Sequence, residues 1–315
     1  MQHLIERAVA ALNGVIGDTL AEQQSPLALK MALVGDGGAA ACDDDGALVG
    51  DSEAAGRERL CLFVHGNCDC DRTWWQRDVA YGARLREELG VAPLYLRYNS
   101  GLHISTNGQQ LSALLEAVAR SHGALSELTL VGHSMGGLVI RSACYYATLH
   151  GLTWVERVRR VVFLGVPHDG AHLERLGRLA TLVLSLVPNL TTRVIALSGE
   201  RRSAGIKDLR HGYLLDEEWA GGGDERLLPS ARQHVPLLDG VDYYAGLATL
   251  GADEAHWLAR LFGDGAVHPA SARGDRWLGR GLELPSDNVR VFPKTSHLGL
   301  VYSEPVYEQL RSWMS

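Results

Sequence analysis

Six short runs of aliphatic and β-branched residues alternate with longer helical patterns from residue 60 onward. Each run is apolar at nearly every position, as in strands that are covered on both faces. Alternating strands and helices predict a parallel sheet with right-handed crossovers. The fold class is therefore α/β, with about six mostly parallel strands flanked by helices. The runs cover residues 60–64, 93–98, 128–131, 158–164, 241–248 and 289–292.

The first 56 residues have a different texture. Residues 4–20 carry apolar side chains at helical spacing along one stripe, and residues 35–56 are rich in Gly, Ala and Asp. We therefore expect residues 1–56 to form an N-terminal helical extension with an exposed connector, and residues 57–315 to form the main domain. The polar face of the helix is not basic, which favours packing on the main domain over binding to a membrane surface.

One interval of the main domain lacks a strand pattern. Between residues 166 and 241 the sequence has helical patterns, a Gly-rich tract at 221–223 and many Arg and Leu residues. Insertions of this length in α/β proteins often cover the site. Residues 168–240 are therefore predicted to be a helical cap or lid. Elsewhere helices are predicted at residues 76–89, 109–119, 135–150 and 305–314.

Charge and composition exclude several classes of protein. The 315-residue chain has 30 Lys and Arg against 37 Asp and Glu, so the basic face that nucleic acid requires is not expected. No apolar stretch approaches the ~18 residues of a membrane-spanning helix, and the N-terminus lacks a signal-peptide pattern. Five cysteines are too sparse for a disulfide framework. These features predict a cytoplasmic protein with no integral membrane segment, and they leave its oligomeric state open.

The sequence Gly-His-Ser-Met-Gly-Gly at 132–137 lies between a predicted strand and a predicted helix. It fits the G-x-S-x-G pattern of a strand-to-helix turn. A nucleophilic serine there needs a sharp, strained turn, and glycine two residues before and after it leaves the necessary space. The helix start also directs N–H groups at a developing oxyanion. Ser134 is therefore the candidate nucleophile, and a plain glycine-rich turn is the alternative.

A nucleophilic serine needs a base, and the base needs a carboxylate that orients it. His297 follows the last predicted strand and precedes the closing helix, at a place where active-site residues of parallel sheets collect. Asp264 lies between glycines after the strand at 241–248 and before His297. The order Ser134, Asp264, His297 is the order of the triad in this class of fold. Asp287 is the reserve for the acid.

The oxyanion hole needs two fixed N–H donors. We expect one from Met135, directly after the nucleophile, and one from Asn67, in the loop after the first core strand. Cys68 and Cys70 have C-x-C spacing with acidic neighbours but no second cysteine pair, so a zinc site is not predicted.

Five segments of the chain follow one family pattern in order: F-V-H-G-N at 63–67, G-H-S-M-G-G at 132–137, L-G-V-P-H-D-G at 164–170, G-D-G-A-V at 263–267 and S-H at 296–297. On these segments, residues from about 60 to 315 resemble the α/β-hydrolase superfamily, in its lipase-like branch near bacterial triacylglycerol lipases and GPI inositol-deacylase-like proteins. The segment at 164–170 departs from the family's L-G-T-P-H-x-G in having Val166 in place of threonine, and the resemblance does not reach residues 1–56.

The resemblance implies an α/β-hydrolase fold and hydrolysis of carboxylic esters, small-molecule or lipid, by a serine acyl-enzyme without a metal or other cofactor. Two alternatives stay open: an acyltransferase on the same triad, and a non-catalytic scaffold of this fold. A third, a peripheral membrane protein docking through its N-terminal helix, is open as well. The residues expected to face the substrate lie in or near loops at the sheet edges; they are Tyr98, Asn99, Leu102, His103, Pro167, His168 and Leu298.

Overall fold

The computed structural model describes residues 2–43, 47–49, 54–75, 79–170, 202–220, 233–251, 282 and 284–315. Within this part of the chain, strands β1 to β7 form one sheet in the order β1-β3-β2-β4-β5-β6-β7. The strands are β1 Ala32–Val34, β2 Arg59–Val64, β3 Ala92–Arg97, β4 Glu127–His133, β5 Val158–Leu164, β6 Asp242–Thr249 and β7 Val289–Pro293.

The six predicted strands are confirmed as β2 to β7, and neighbouring strands in this set pair in parallel. Their carboxyl ends therefore meet at one edge of the sheet, which we name the carboxyl edge. Strand β1 pairs antiparallel with β3 and extends the sheet with residues from the predicted N-terminal extension. The connector after it is only partly exposed, because Ala41 and Ala54 are buried.

The helices with described bounds cover both faces of the sheet. In β2, Leu62 belongs to the hydrophobic cluster that includes α3 and α4, whereas Phe63 belongs to the cluster that includes α2 and α7. Burial on both faces explains why the strands are apolar at nearly every position. The helices are α1 Gln2–Glu22, α2 Tyr81–Leu89, α3 Ile104–Ser121, α4 Met135–Leu149, α5 Ala204–His211, α6 Asp216–Trp219 and α7 Glu304–Met314.

The predicted N-terminal helix is confirmed as α1, which buries the later part of its apolar stripe against the main body, whereas Leu4 and Ile5 at its start are exposed. Ala11 and Val15 pack in one cluster with Cys68 and Leu247. The helix is kinked at Ile16, where φ is −136° and ψ is 23°. Among the described residues, no helix combines the length and the apolar character needed to cross a membrane.

The predicted cap or lid at 168–240 lies in sequence between β5 and β6. Helices α5 and α6 belong to its described part. Ser203 caps α5 by accepting a hydrogen bond from the Ile206 N–H, and it also donates its hydroxyl hydrogen to the Gly14 carbonyl at 2.7 Å. The described part of the insertion is thus fastened to α1, and its role as a lid stays a prediction.

Glu116 on α3 fixes the turn that leads into β5. Its carboxylate accepts from the N–H groups of Thr153 at 2.8 Å and Trp154 at 3.0 Å, and from Arg120 at 2.9 Å. Burial alone would raise the pKa of Glu116, but these hydrogen bonds to its charged form outweigh burial and hold the pKa below its usual value of 4.5.

Replacing Glu116 by Gln is therefore expected to lower the free energy of unfolding at pH 7 by about 1–2 kcal/mol, because hydrogen bonds to a charged acceptor are lost. A carboxylate with a lowered folded-state pKa stabilises the fold above its unfolded-state pKa, and this contribution is lost as the pH falls through the folded-state value. The difference between wild type and Glu116→Gln should consequently shrink below about pH 4. Urea unfolding at pH 7 and pH 3.5 measures it; a difference that does not depend on pH would contradict this account.

Candidate active site

Ser134 occupies the single residue between β4 and α4. Its backbone has φ 53° and ψ −126°, a conformation that a residue with a Cβ rarely adopts. Its N–H donates to the Leu164 carbonyl at 2.9 Å, and its carbonyl accepts from the Gly137 N–H at 3.1 Å. The predicted strained turn is thus observed, and the neighbouring strand β5 holds it in place.

The glycines around Ser134 are needed because backbone approaches backbone closely. A Cβ on Gly132 would lie 2.6 Å from the Gly137 Cα, and a Cβ on Gly136 would lie 2.6 Å from the His65 carbonyl oxygen. Side chains at these two positions would push apart β4, α4 and the loop after β2. The spacing of glycines in the motif therefore reflects the packing of the turn.

His297 lies in the loop after β7, at the same carboxyl edge as Ser134, and is 3% exposed. The Nε2 of His133, the residue before Ser134, is 3.1 Å from the His297 carbonyl oxygen. The two imidazole rings have their centroids 4.7 Å apart. The structure therefore brings the predicted nucleophile and the predicted base into one cluster, although they are far apart in sequence.

Asp264, the predicted acid, lies outside the described residues. The chain is described up to residue 251, just after β6, and again from residue 284, just before β7. The reserve acid Asp287 is exposed and lies at the amino end of β7, at the opposite edge of the sheet from Ser134. This location gives no support to Asp287 as a partner of His297.

The predicted oxyanion loop after β2 packs directly against the nucleophile. A Cβ on Gly66 would lie only 3.0 Å from the Ser134 Cβ. Asn67 follows and is 7% exposed; its Oδ1 has no hydrogen-bond partner among the residues that the structure describes. Met135 is the first residue of α4, and the N–H groups of a helix's first turn have no partner within the helix. Met135 thus directly follows Ser134, and the residue before Asn67 packs against it.

Two buried histidines beside the cluster are neutral. Burial, and then the proximity of His297, lowers the pKa of His133 well below its usual value of 6.5. Since a carbonyl oxygen only accepts, the Nε2 of His133 carries the hydrogen that it donates to His297. Burial likewise lowers the pKa of His65, whose ring stacks on Tyr98 with centroids 4.4 Å apart. Neither imidazole places a positive charge next to Ser134 and His297.

The polar groups of Tyr98 and Asn99, both predicted to face the substrate, are used within the protein. The Tyr98 hydroxyl donates to the His65 carbonyl at 2.7 Å. The Asn99 amide nitrogen donates to the Gly17 carbonyl at 2.8 Å, and its Oδ1 accepts from the Gly101 N–H at 3.0 Å. In this arrangement both side chains hold loops at the carboxyl edge, and a substrate-facing role stays a prediction.

His103, also predicted to face the substrate, is partly exposed and contacts two side chains of the insertion. Its Nδ1 is 3.0 Å from the buried carboxylate of Asp208, and its ring stacks on Trp219 with centroids 3.6 Å apart. The contacts join α3 to the described part of the insertion. Sequence reasoning missed Asp208 and Trp219, because a pairing across about a hundred residues leaves no local pattern.

The other predicted substrate-facing residues are placed as follows. Leu102 is half-buried just before α3. Pro167 and His168 are buried after β5, and the His168 ring meets the Phe163 ring edge-on. Leu298 is half-buried and packs with the cluster of α1 and Cys68. A substrate-facing role for these four residues stays a prediction.

The residues that the structure describes do not form a metal site. In the described ranges, no three His, Cys, Asp or Glu side chains come together as a metal ion would require. Burial raises the pKa of Cys68 and of Cys70 to about 12 in each case. Both thiols are therefore protonated near neutral pH.

The low pKa of His133 has a consequence for stability. The unfolded chain takes up a proton on this residue below pH 6.5, whereas the folded chain does not, so its contribution to stability is complete above pH 6.5 and is lost as the pH falls. The loss is about 1.4 kcal/mol per pH unit for one proton.

We expect the variant His133→Gln, whose amide N–H₂ can still donate to His297, to lose stability less steeply than wild type between pH 6.5 and pH 5. Chemical denaturation at several pH values measures the slopes. Equal slopes, or an NMR titration in which His133 protonates near pH 6.5, would contradict the assignment.

Comparison with known sequences gives one partial match. Residues 97–209 match a family model described as a domain of unknown function (DUF7379), and the matched residues are well under half of the chain. No curated protein matches the sequence.

Several solved structures are similar in their backbone. The mature form of the Bacillus licheniformis lipase BlEst2 superposes with a TM-score of 0.51 at 19% identity, over 81% of this chain and 92% of that chain. The carboxylesterase CesB from Bacillus subtilis gives 0.46 at 13% identity, over 83% and 84%. An esterase from Thermogutta terrifontis gives 0.43 at 16% identity, over 82% and 90%. At these identities the similarity concerns the fold alone.

Proposed function

We propose that this chain, which has the α/β-hydrolase fold, hydrolyses carboxylic esters through an acyl-enzyme on Ser134. One observation carries the proposal. Ser134 lies on a strained turn at the carboxyl edge, and His297 is held beside that turn by the hydrogen bond from His133. The combination of a strained serine, a neighbouring histidine and a helix start directed at the serine is what acyl transfer requires.

In the first half of the reaction, the His297 imidazole takes the proton of the Ser134 hydroxyl as Oγ attacks the ester carbonyl. The carbonyl π bond becomes an oxyanion, which the N–H groups of Met135 and Asn67 stabilise. The tetrahedral intermediate then collapses, the bond to the alcohol oxygen breaks, and the imidazolium returns its proton to the leaving alcohol. Ser134 is left as an acyl ester.

In the second half, water replaces the alcohol. His297 takes a proton from the water as its oxygen attacks the acyl carbonyl, and a second tetrahedral intermediate forms in the same oxyanion hole. Collapse breaks the bond to the Ser134 Oγ, which regains the proton from His297. A carboxylic acid leaves, and the enzyme is restored without a metal or another cofactor.

The buried neighbours of His297 suit this cycle. An imidazolium forms twice in each turnover, and a second positive charge nearby would raise its free energy. The lowered pKa of His133 keeps that neighbour neutral while it donates to the His297 carbonyl. Asp264 is the proposed carboxylate that orients His297 and stabilises the imidazolium.

The proposed substrates are small-molecule or lipid esters. Transfer of the acyl group to an alcohol in place of water would use the same intermediate and would make the protein an acyltransferase. Product analysis separates the two activities: free acid as the main product in the presence of added alcohols supports hydrolysis, and a new ester as the main product supports transfer.

The variant Ser134→Ala is expected to fold normally and to lose about 10⁴–10⁶-fold in turnover, because the nucleophile of a triad is removed. Hydrolysis of p-nitrophenyl esters from acetate to palmitate measures it. A fluorophosphonate probe should label wild type on the peptide that contains Ser134 and leave the variant unlabelled. Near-normal ester hydrolysis by the purified variant would refute the assignment of the nucleophile.

The two candidate acids are compared by the same change. Asp264→Asn should lower kcat by about 10⁴-fold, since an amide favours the wrong tautomer of His297. Asp287→Asn should leave kcat within about twofold of wild type, since Asp287 is exposed at the opposite edge of the sheet. The reverse result would make Asp287 the acid.

A further inference from the structure

The N-terminal helix α1 lies against two loops that border the proposed catalytic centre. A Cβ on Gly14 would lie 2.6 Å from the Cα of Cys68, in the loop after β2. One helical turn later, a Cβ on Gly17 would lie 2.7 Å from the Asn99 side-chain carbon Cγ, in the loop after β3. The backbone of α1 is therefore in direct contact with both loops.

The contact at Gly14 falls on a strained residue. Cys68 has φ 60°, in the left-handed region that a residue with a Cβ seldom occupies. Its N–H donates to the Ser100 hydroxyl oxygen at 3.1 Å. Cys68 directly follows Asn67, so the Asn67 N–H lies one peptide group before the one that Ser100 holds. The turn is held from the loop after β3 by Ser100 and from the N-terminal helix by Gly14.

The helix is fixed where it touches the turn. Around the kink at Ile16, the carbonyls of Gly14 and Val15 accept hydrogen bonds from the side chain and the N–H of Ser203, at 2.7 and 3.1 Å. The Gly17 carbonyl accepts from the Asn99 amide at 2.8 Å. These bonds come from outside the helix on both sides of the contact, so α1 is a fixed support for the Cys68 turn.

Glycine at position 14 is not explained by the helix itself. Glycine is a poor helix former compared with alanine, and Gly14 lies in the helical turn before the kink at Ile16. Contact with the Cys68 backbone accounts for the missing side chain, because any Cβ would displace either the helix or the turn.

We propose that Gly14 and Ser100 are positioning residues for the oxyanion hole. They hold Cys68 in its left-handed conformation and fix the peptide group between Asn67 and Cys68, which restrains the preceding Asn67 N–H toward the oxyanion. This inference rests on the proposed function, in which Asn67 supplies the second donor. The N-terminal helix thereby becomes part of the catalytic apparatus, although the resemblance to known hydrolases begins only near residue 60.

The test compares two pairs of matched variants. Gly14→Ala is paired with Gly82→Ala, because Gly82 on α2 is also a buried helical glycine; a Cβ there would meet the Tyr95 hydroxyl and would lie 2.6 Å from the Cβ of Pro93 on β3. Ser100→Ala is paired with Ser112→Ala, because Ser112 is buried and its hydroxyl oxygen accepts one N–H, from the indole of Trp154 at 3.2 Å. The two glycine changes are expected to cost stability because the added Cβ overlaps its neighbours. The two serine changes are expected to cost stability because each removes one hydrogen bond.

Only Gly14→Ala and Ser100→Ala should lower kcat, by about 10- to 100-fold, while KM changes by less than about threefold. This split is expected because a misdirected N–H weakens the transition state more than the bound ester. An unchanged kcat in both folded variants would overturn the proposal. So would an equal fall in kcat in the matched controls, since the effect would then follow from general destabilisation. If Gly14→Ala does not fold, the Ser100 pair decides.

Hydrogen exchange gives a readout that does not depend on activity. Amide exchange at Asn67 and Cys68 should be faster in Gly14→Ala and Ser100→Ala than in wild type, and unchanged in the two controls. Equal exchange in all five proteins would overturn the proposal. A wild-type protein that hydrolyses no ester would contradict the proposed function instead, and the exchange comparison would still decide whether Gly14 and Ser100 hold the turn.

Discussion

The strained backbone of Ser134 is the constraint on which the carboxyl edge of this molecule depends. A residue with a Cβ adopts φ 53° only when its surroundings enforce it. Here the enforcement comes from β5, through the hydrogen bond to Leu164, and from the close packing of β4, α4 and the loop after β2. The same packing that strains the serine also brings Gly66 and Met135 to its sides. The conformation of Ser134 and the positions of its neighbours at this edge therefore follow from the same packing.

Burial gives the cluster its electrostatic character. His65 and His133 are imidazoles that water would leave partly protonated near neutral pH, yet burial keeps both neutral. Each then serves as a hydrogen-bond donor to a backbone carbonyl, of Gly66 and of His297 respectively. These two histidines thus make their hydrogen bonds as uncharged groups, so neither places a positive charge beside the proposed base.

The sequence predicted the sheet well because its signal is local. Strands covered on both faces are apolar at nearly every residue, so six runs could be identified, and glycine spacing located Ser134. Strand β1 was missed because three residues carry too little pattern. The pairs His103 with Asp208 and Gly14 with Cys68 were missed because each is set by tertiary contact. Asp264 stays a prediction from chain order.

The hydrogen bond between Gly14 and Ser203 spans 189 positions of the chain. Contacts of such long range form late, since the entropy of closing a long loop must be overcome before they contribute any stability. Helix α1 is synthesised before Ser203, so this hydrogen bond can form only after the 189 positions between the two residues have been added. On a ribosome, α1 would therefore wait for its docking surface, and the loops that it supports would become rigid late.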